Sequence, residues 1–279
     1  MGSVLHPSLQ GHVWDTHTHV FGPPERYPLA PTRGYTPPVR WIDQLGKASA
    51  VASVAHLVMV HPSVYGPDLS ALTDALAAGG GKYRGVAVVA PDASTARFAE
   101  LHQAGIRALR FNLVSVAGTS FEGFDALAAK AAEHGWHAQI FIHPRNLSDV
   151  IALRARTSIP FVLDHFGGFH AGTDLDSPAW EALLTLVRDA NCYVKLSGFY
   201  RLSKEGFPYA DLDPMVKSLA AASMDRLIWG SDWPHTWFFE QASGKPPPYA
   251  DLLQPITRNF PDLASQRRIL IDNPRQLYA

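Results

Sequence analysis

The chain has 279 residues, a formal net charge of −1 at pH 7 and a charged fraction of 18%, without any basic run. This composition excludes the positive surface that nucleic-acid-binding proteins use. Hydrophobic residues make up 47% of the chain, yet no apolar run reaches the ~20 residues of a membrane helix. The first twelve residues do not resemble a secretory signal, and the single cysteine, Cys192, excludes an internal disulfide. We therefore expect a soluble cytoplasmic protein that acts on a small molecule, without nucleic-acid or membrane partners.

Short apolar runs alternate along the chain with segments that suit helices. Eight such runs lie at residues 12–18, 55–61, 84–90, 106–112, 137–143, 159–165, 191–197 and 226–232. Helix-compatible segments between them include Leu69 to Ala78, Ser94 to Ala104, Phe124 to His134, Trp180 to Ala190 and Leu212 to Ala222. This alternation predicts βα units, and about 250 residues is the usual size of an eight-stranded α/β barrel. We therefore predict the α/β class and a single (β/α)8 TIM barrel over residues 1–279, with 1–11 as an N-terminal extension.

Two connections are too irregular for simple loops between a strand and a helix. Residues 21–38 contain six prolines and two glycines, and residues 236–249 contain three consecutive aromatic residues and a Lys-Pro-Pro-Pro run. Both follow strands, on the face where barrel enzymes hold their active sites. We predict that both loops cover the site, and that residues 263–279 form a closing pair of helices.

The first predicted strand ends in the sequence Asp15-Thr16-His17-Thr18-His19. Alternate side chains of a strand point to the same face, so His17 and His19 should face together, with Asp15 behind them. An isolated pair of this kind is more often a core histidine beside a loop residue than a functional site. The ends of the other strands decide between these two interpretations.

Polar residues stand at the ends of most of the predicted strands, where the active site of a barrel is built. They are His17 and His19, His61, Arg110 and Asn112, His143, Asp164 and His165, Ser197, and Ser231 and Asp232. Solubility alone does not explain a set so rich in His and Asp at one mouth. Locally, His143 and His61 are also compatible with hydrogen-bonded core histidines, and Asp232 with a helix cap.

Four motifs resemble the amidohydrolase-2 branch of the amidohydrolase superfamily, and within it the 2-pyrone-4,6-dicarboxylate lactonases and related small-lactone hydrolases. The motifs are Asp15 to Pro23, Arg110-Phe111-Asn112, Leu163 to Gly167, and Leu227 to His235, and the resemblance runs from about residue 11 to the ending Asp272 to Tyr278. It implies a reaction centre formed by His17, His19, His165 and Asp232. It also implies that Arg110 and Arg201 hold carboxylates of the substrate and that Tyr35 contacts it. Asn112 and His143 are further candidates for substrate contact.

Two positions depart from the pattern of the dicarboxylate lactonases. Residues 113–116 read Leu-Val-Ser-Val, without the further arginine of members whose substrates carry two carboxylates, which argues against that dicarboxylate as the substrate. His143 stands where those lactonases have an aromatic residue, whereas a histidine on the fifth strand is a metal ligand in other branches.

Opening a lactone requires an activated water, a polarised carbonyl and a proton for the departing oxygen. Asp232 is the predicted general base, and the three histidines would support the developing oxyanion. A divalent ion such as zinc or manganese is compatible with the site but not required by it. The candidate ligands are His17, His19, His165, His143 and Asp232. The alternatives are a metal-dependent non-oxidative decarboxylase, a sugar-acid lactone isomerase, and an inert barrel that binds a small acid. The oligomeric state is not indicated.

Overall fold

Eight parallel strands form one sheet in which each strand pairs with the next along the chain. The computed structural model describes residues 5–115, 118–188, 191–241 and 244–279. The strands are β1 (Val13–Thr18), β2 (Val54–Val60), β3 (Tyr83–Ala87), β4 (Ile106–Asn112), β5 (His137–Phe141), β6 (Phe161–Leu163), β7 (Cys192–Leu196) and β8 (Leu227–Trp229). Consecutive parallel strands require a crossover between them, and helices supply it.

Twelve α-helices lie in the described ranges. They are α1 (Ile42–Val51), α2 (Ser70–Ala77), α3 (Thr95–Gln103), α4 (Phe124–Glu133), α5 (Leu147–Arg154), α6 (Pro178–Arg188), α7 (Phe199–Leu202), α8 (Asp213–Ser223), α9 (Trp237–Glu240), α10 (Gln254–Asn259), α11 (Leu263–Arg267) and α12 (Asn273–Tyr278). A π-helical turn, Arg268–Asp272, joins α11 to α12. None of these helices has the length and apolar character that crossing a bilayer requires.

The barrel closes between its first and last strands through a small number of hydrogen bonds. The Thr16 hydroxyl donates to the Trp229 carbonyl at 2.7 Å. Beyond β8, the Asp232 amide donates to the His17 carbonyl at 2.8 Å and the His19 amide to the Trp233 carbonyl at 2.7 Å. These bonds form a seam between β1 and the segment that follows β8. The predicted (β/α)8 barrel is confirmed.

The predicted strands overlap the observed strands in every case, but several are too long at their carboxyl ends. The run 137–143 ends as a strand at Phe141, the run 159–165 at Leu163 and the run 226–232 at Trp229. The alternation of apolar and polar residues continues beyond the last hydrogen bond between paired strands. This sequence pattern therefore does not show where each strand ends. The five predicted helices are present, while α1, α5, α7, α9 and α10 were not predicted. Parts of the predictions fall outside the described residues: positions 1–4, Val116, positions 189–190 and positions 242–243.

The lower half of the barrel interior is filled by large side chains. A cluster of buried residues, including Trp14, Tyr193 and Tyr278, packs there. The buried ring of His137 on β5 contacts this cluster, with its centroid 4.9 Å from that of the Tyr278 ring. Cys192 is buried in the core, as its apolar surroundings in the sequence predict. The filled floor leaves the opposite rim of the barrel for polar groups.

Candidate active site

His17, His19 and His165 surround the carboxylate of Asp232 at the carboxyl ends of the strands. Nε2 of His17 lies 3.6 Å from Oδ1 of Asp232, and Nε2 of His19 lies 3.5 Å from the same oxygen. Nε2 of His165 lies 3.9 Å from Oδ2. All four side chains are buried. The structure thus brings together the four residues of the proposed reaction centre.

The two oxygens of the Asp232 carboxylate differ in their partners. Oδ2 accepts a hydrogen bond from the Tyr200 hydroxyl at 2.7 Å and lies 3.4 Å from Nη1 of Arg201. Oδ1 has no hydrogen-bond donor among the described residues. Burial alone would raise the pKa of Asp232, but its contacts with His165, His19, His17 and Arg201 lower it well below its usual value. The carboxylate is therefore ionised, with Oδ1 available to accept a proton.

His19 carries its proton on the side away from Asp232. Its Nδ1 lies 2.7 Å from the Val60 carbonyl, and because a carbonyl only accepts hydrogen bonds, Nδ1 must be the donor. In the neutral imidazole Nε2 is then an acceptor, which faces the acceptor Oδ1 of Asp232. A group that bridges these two atoms must therefore supply two hydrogen-bond donors or a positive charge. A water molecule meets this requirement, and so does a cation.

The backbone around Asp232 is held in a conformation that favours close approach to β1. Asp232 has φ of 60°, in the left-handed region that non-glycine residues rarely adopt. Its amide is fixed by the His17 carbonyl, and its own carbonyl accepts from the His235 amide at 2.7 Å. At Gly230 an added Cβ would lie 2.6 Å from the Cβ of His17. Glycine is therefore required where the last strand passes the first.

A buried ion pair lies beneath the histidines. The ammonium of Lys195 lies 3.3 Å from Oδ1 of Asp164 and donates to the Thr16 carbonyl at 2.7 Å. Asp164 in turn lies 3.2 Å from Nδ1 of His17 and accepts from Gln139 at 3.0 Å. Burial lowers the pKa of Lys195 to about 8, which keeps it largely charged near neutral pH. This pair fixes the His17 ring from below.

Burial keeps the imidazoles of His17 and His165 neutral near pH 7. It lowers the pKa of His17 well below its usual value and that of His165 to about 4. Nδ1 of His165 is 2.8 Å from the Ser197 hydroxyl, which orients its ring. Neutral imidazoles can accept or donate one hydrogen bond at each edge, and their nitrogens can bind a metal ion.

The two candidate arginines have different surroundings. Arg110 is 7% exposed and donates to the His61 carbonyl at 2.5 Å. It forms no ion pair within the described ranges, and its Nε has no partner there. Arg201 forms two ion pairs, through Nη1 with Asp232 and through Nη2 with Glu240, each at 3.4 Å. Its guanidinium also lies over the Phe141 ring, 5.6 Å from the centroid.

The cavity above Asp232 is small and is bordered by both predicted loops. It encloses about 20 Å³, which is room for about one water molecule. Tyr35 from 21–38 and Thr236 and Glu240 from 236–249 line it. A neighbouring cavity of about 240 Å³ shares Arg110 and Asn112 with it. Space for a ligand larger than water therefore adjoins the site on the Arg110 side.

The two further candidates for substrate contact, Asn112 and His143, differ in their placement. The Asn112 side chain lines the cavity, and its Oδ1 accepts from the amides of Val114 and Ser115 in its own loop. His143 is not among the described residues that line the cavity, and Phe141 takes the fifth-strand position beside His165 instead. β5 ends at Phe141 and the chain then turns, which carries His143 away from the group.

Asp15 is a structural residue of the seam. Its Oδ1 accepts from the amides of Ser231 and His17, and its Oδ2 accepts from the Tyr249 hydroxyl at 2.6 Å. Burial raises its pKa to about 6. It therefore ties β1 to the segment after β8, and this holds His17 opposite Asp232.

Three residues of the site were not predicted: Lys195, Tyr200 and Glu240. Lys195 had a usable signal, because a lysine inside the apolar strand Cys192–Leu196 is exceptional unless it is paired. Tyr200 and Glu240 lie in short helices after β7 and β8, where the sequence has no periodicity that fixes side-chain direction. Only the contacts of Tyr200 with Asp232 and of Glu240 with Arg201 indicate their roles.

The donor set at the centre fits a divalent cation. His17, His165 and Asp232 each offer a ligand atom, and these atoms lie within 4.8 Å of one another. Nε2 of His17 and Oδ1 of Asp232 have no hydrogen-bond partner among the described residues. Two imidazole nitrogens and a carboxylate are typical of zinc sites with open positions.

Comparisons with known proteins agree with this arrangement. Residues 14–279 match the family model described as "Amidohydrolase". A 4-sulfomuconolactone hydrolase of Hydrogenophaga intermedia is 32% identical over 268 residues, covering 95% of this chain and 88% of its own. A 2-pyrone-4,6-dicarboxylate hydrolase of Comamonas testosteroni is 32% identical over 275 residues, covering 95% and 89%. A crystal structure from Agrobacterium tumefaciens, 24% identical and covering 96% and 95%, superposes with a TM-score of 0.86.

These matches extend over almost the whole chain and include every strand of the barrel. They confirm the family that the sequence motifs indicated and the identification of a hydrolase within it. The chain belongs to the amidohydrolase family.

Proposed function

We propose that this amidohydrolase-family enzyme hydrolyses a small lactone, with Asp232 as the general base for the attacking water. One observation carries the proposal: Oδ1 of the buried Asp232 carboxylate has no hydrogen-bond donor among the described residues and lies 3.5 Å from Nε2 of His19. A water between them would donate one proton to each atom. It would then keep its lone pairs free for a carbonyl carbon.

In the proposed reaction, water first adds to the lactone carbonyl, and the ring oxygen then leaves. The water oxygen bonds to the lactone carbonyl carbon while Oδ1 of Asp232 takes one of its protons. The carbonyl oxygen becomes an oxyanion, which the Nε2–H of His165 stabilises by hydrogen bonding while its Nδ1 accepts from the Ser197 hydroxyl. The bond between the acyl carbon and the ring oxygen then breaks, and Asp232 returns the proton to the departing oxygen. The product is a hydroxy acid, or its keto form when an enol leaves.

Arg110 is the proposed anchor for an acidic group of the substrate. A buried guanidinium without a carboxylate partner is costly unless a ligand supplies the negative charge. The adjoining cavity of about 240 Å³ gives space for the ring. Since the hydrolases that this chain resembles act on lactones named as a sulfo compound and a dicarboxylate, an anionic small lactone is the proposed substrate class.

A divalent ion, when bound, would be held by His17, His165 and Asp232 and would lower the pKa of a bound water and polarise the carbonyl. Around this set, the protein already supplies positive charge: Lys195 lies 3.4 Å from Nδ1 of His17, and Arg201 pairs with Asp232. These cations reduce the attraction of the site for a dication. We therefore propose that the hydrolysis does not depend on an added metal.

The test is a pH-indicator screen of anionic and hydroxylated lactones with the parent and with Asp232→Asn. We expect acid release by the parent on at least one compound, and a loss of roughly 100-fold or more in kcat for the variant, because the amide cannot take the proton of water. The exposed Asp225→Asn variant, which breaks an ion pair with Arg268 far along the outer surface, controls for the loss of one negative charge. Equal rates for the parent and Asp232→Asn would contradict the assigned role.

A further inference from the structure

Charged side chains balance one another on one side of the cavity and not on the other. On the Arg110 side, a buried guanidinium has no carboxylate partner within the described residues. On the Arg201 side, both terminal nitrogens of the guanidinium are already paired, one with Asp232 and one with Glu240. The two arginines that the sequence presents as equivalent anion sites are therefore not equivalent in the folded protein.

Glu240 occupies the position at which an acidic group of a substrate would reach Arg201. Its Oε2 lies 3.4 Å from Nη2, and the residue lines the same small cavity as His17 and His165. The opposite edge of Arg201 is used by Asp232, and its face lies over Phe141. Each terminal nitrogen of this guanidinium is thus already paired with a carboxylate, and a second substrate anion would also meet the negative charge of Glu240.

We propose that Glu240 determines specificity by acting as a built-in counter-ion for Arg201, so that the enzyme selects lactones with a single acidic group. The acidic group binds Arg110, and the part of the substrate that faces Glu240 is neutral. A hydroxyl group fits there best, because it can donate to the Glu240 carboxylate. A second carboxylate there is repelled by like charge. This inference rests on the proposed lactone hydrolysis and narrows its substrate class.

The absence of a further arginine in the described part of the loop after β4 agrees with this assignment. Residues 113–115 are Leu, Val and Ser, so this side of the cavity gains no positive charge from them. Tyr35 interacts electrostatically with Arg110, Arg201, Asp232 and Glu240. Burial raises its pKa, and this keeps its hydroxyl group neutral. The lining therefore offers one unpaired positive charge to a ligand.

The test compares two lactones that differ by one carboxylate. The γ-lactone of 2-hydroxyglutarate carries one free carboxylate, and the γ-lactone of isocitrate has the same ring with a second carboxylate. The ratio of kcat/KM for the first over the second is measured in the parent, in Glu240→Gln and in Glu181→Gln. Glu181 pairs with Arg188 on the outer helix α6, so its variant changes the net charge equally without touching the cavity.

We expect the parent to prefer the monocarboxylate, and Glu240→Gln to lower that preference by about tenfold, mainly through a smaller KM for the dicarboxylate. Glu181→Gln should keep the parent ratio. An unchanged ratio in Glu240→Gln, or an equal loss on both lactones, would overturn the inference while leaving the hydrolysis itself established.

A binding measurement separates this inference from the proposed function. The shift in the melting temperature with the two open-chain acids, 2-hydroxyglutarate and isocitrate, is recorded for the same variants. If neither lactone is hydrolysed by any variant, the proposed function fails for this ring, and the inference is then judged on binding. Glu240→Gln must gain stabilisation by isocitrate relative to 2-hydroxyglutarate, and a parent-like difference would overturn it.

Discussion

The chemistry of the site is determined by which atom of each side chain is already engaged. Tyr200 and Arg201 engage one oxygen of Asp232, and the Val60 carbonyl engages Nδ1 of His19. The two remaining atoms are Oδ1 of Asp232 and Nε2 of His19. Both are hydrogen-bond acceptors when the His19 imidazole is neutral. That mismatch explains why the pair can hold a reactive water or a cation, and why neither atom needs a protein donor.

Whether the hydrolysis requires a bound metal ion can be tested directly. Protein purified without added metal is analysed for its elemental content and assayed before and after dialysis against a chelator. We expect the rate on a hydrolysed lactone to stay within about twofold, because Lys195 and Arg201 already balance the charges that a dication would neutralise. Loss of activity after chelation, with recovery on adding zinc or manganese, would contradict this expectation. If carbon dioxide were released as well, the decarboxylase alternative would replace the lactonase.

Among the secondary-structure elements, β1 and the segment after β8 matter most, because Asp232, the proposed general base, lies in their seam. The seam contains only a few hydrogen bonds, and Asp15 supplies acceptors on both sides of it. Close packing at Gly230 brings the two segments together. The geometry between His17 and Asp232 is therefore a property of two elements at opposite ends of the sequence.

A pair of glycine variants tests the importance of this close approach. Gly230→Ala should lower kcat/KM at least tenfold and the free energy of unfolding by about 1–3 kcal/mol, because the new Cβ meets the backbone and Cβ of His17. Gly46→Ala in α1, where nothing lies within 4 Å of the added Cβ, should keep the activity and raise stability by about 0.5–1 kcal/mol. Steady-state kinetics and urea unfolding give both values. Parent-like kinetics in Gly230→Ala would show that the seam tolerates a wider spacing.

Sequence patterns were sufficient for the number and order of strands, because hydrophobic alternation and loop composition are local properties. They were also sufficient to group His17, His19, His165 and Asp232, since all follow strands of the same barrel. They did not give the directions of Tyr200 and Glu240, which depend on how short helices pack after the strands. For His143, the alternating pattern continues past Phe141, where β5 ends. The prediction placed His143 on the same face as Phe141 of a longer strand, whereas His143 lies outside the cavity.

The molecule as a whole buries several histidines in neutral form. Burial lowers the pKa of His137 to about 3 and those of His61 and His235 to about 4. Such a group binds fewer protons in the folded state than in the unfolded state. Its contribution to stability is therefore complete above the unfolded pKa of 6.5 and is lost as the pH falls toward the folded value.

His137 allows this effect to be measured away from the catalytic residues. Between pH 7 and pH 5 the parent should lose about 2 kcal/mol through this residue alone, since protonation favours the unfolded chain. In His137→Leu that part of the loss should disappear, so the free energy of unfolding falls less steeply. Urea unfolding at the two pH values gives the difference, and the exposed His12→Leu variant controls for the removal of an imidazole. Identical pH dependence in the parent and His137→Leu would contradict the assignment.

The position of Asp232 in the seam also bears on synthesis of the protein. A chain emerging from the ribosome exposes His17 and His19 early, but Asp232 follows more than two hundred residues later. Until that last portion docks, the barrel stays open and the proposed base is missing from the site. Under the proposed mechanism, turnover therefore requires that the two ends of the chain have met.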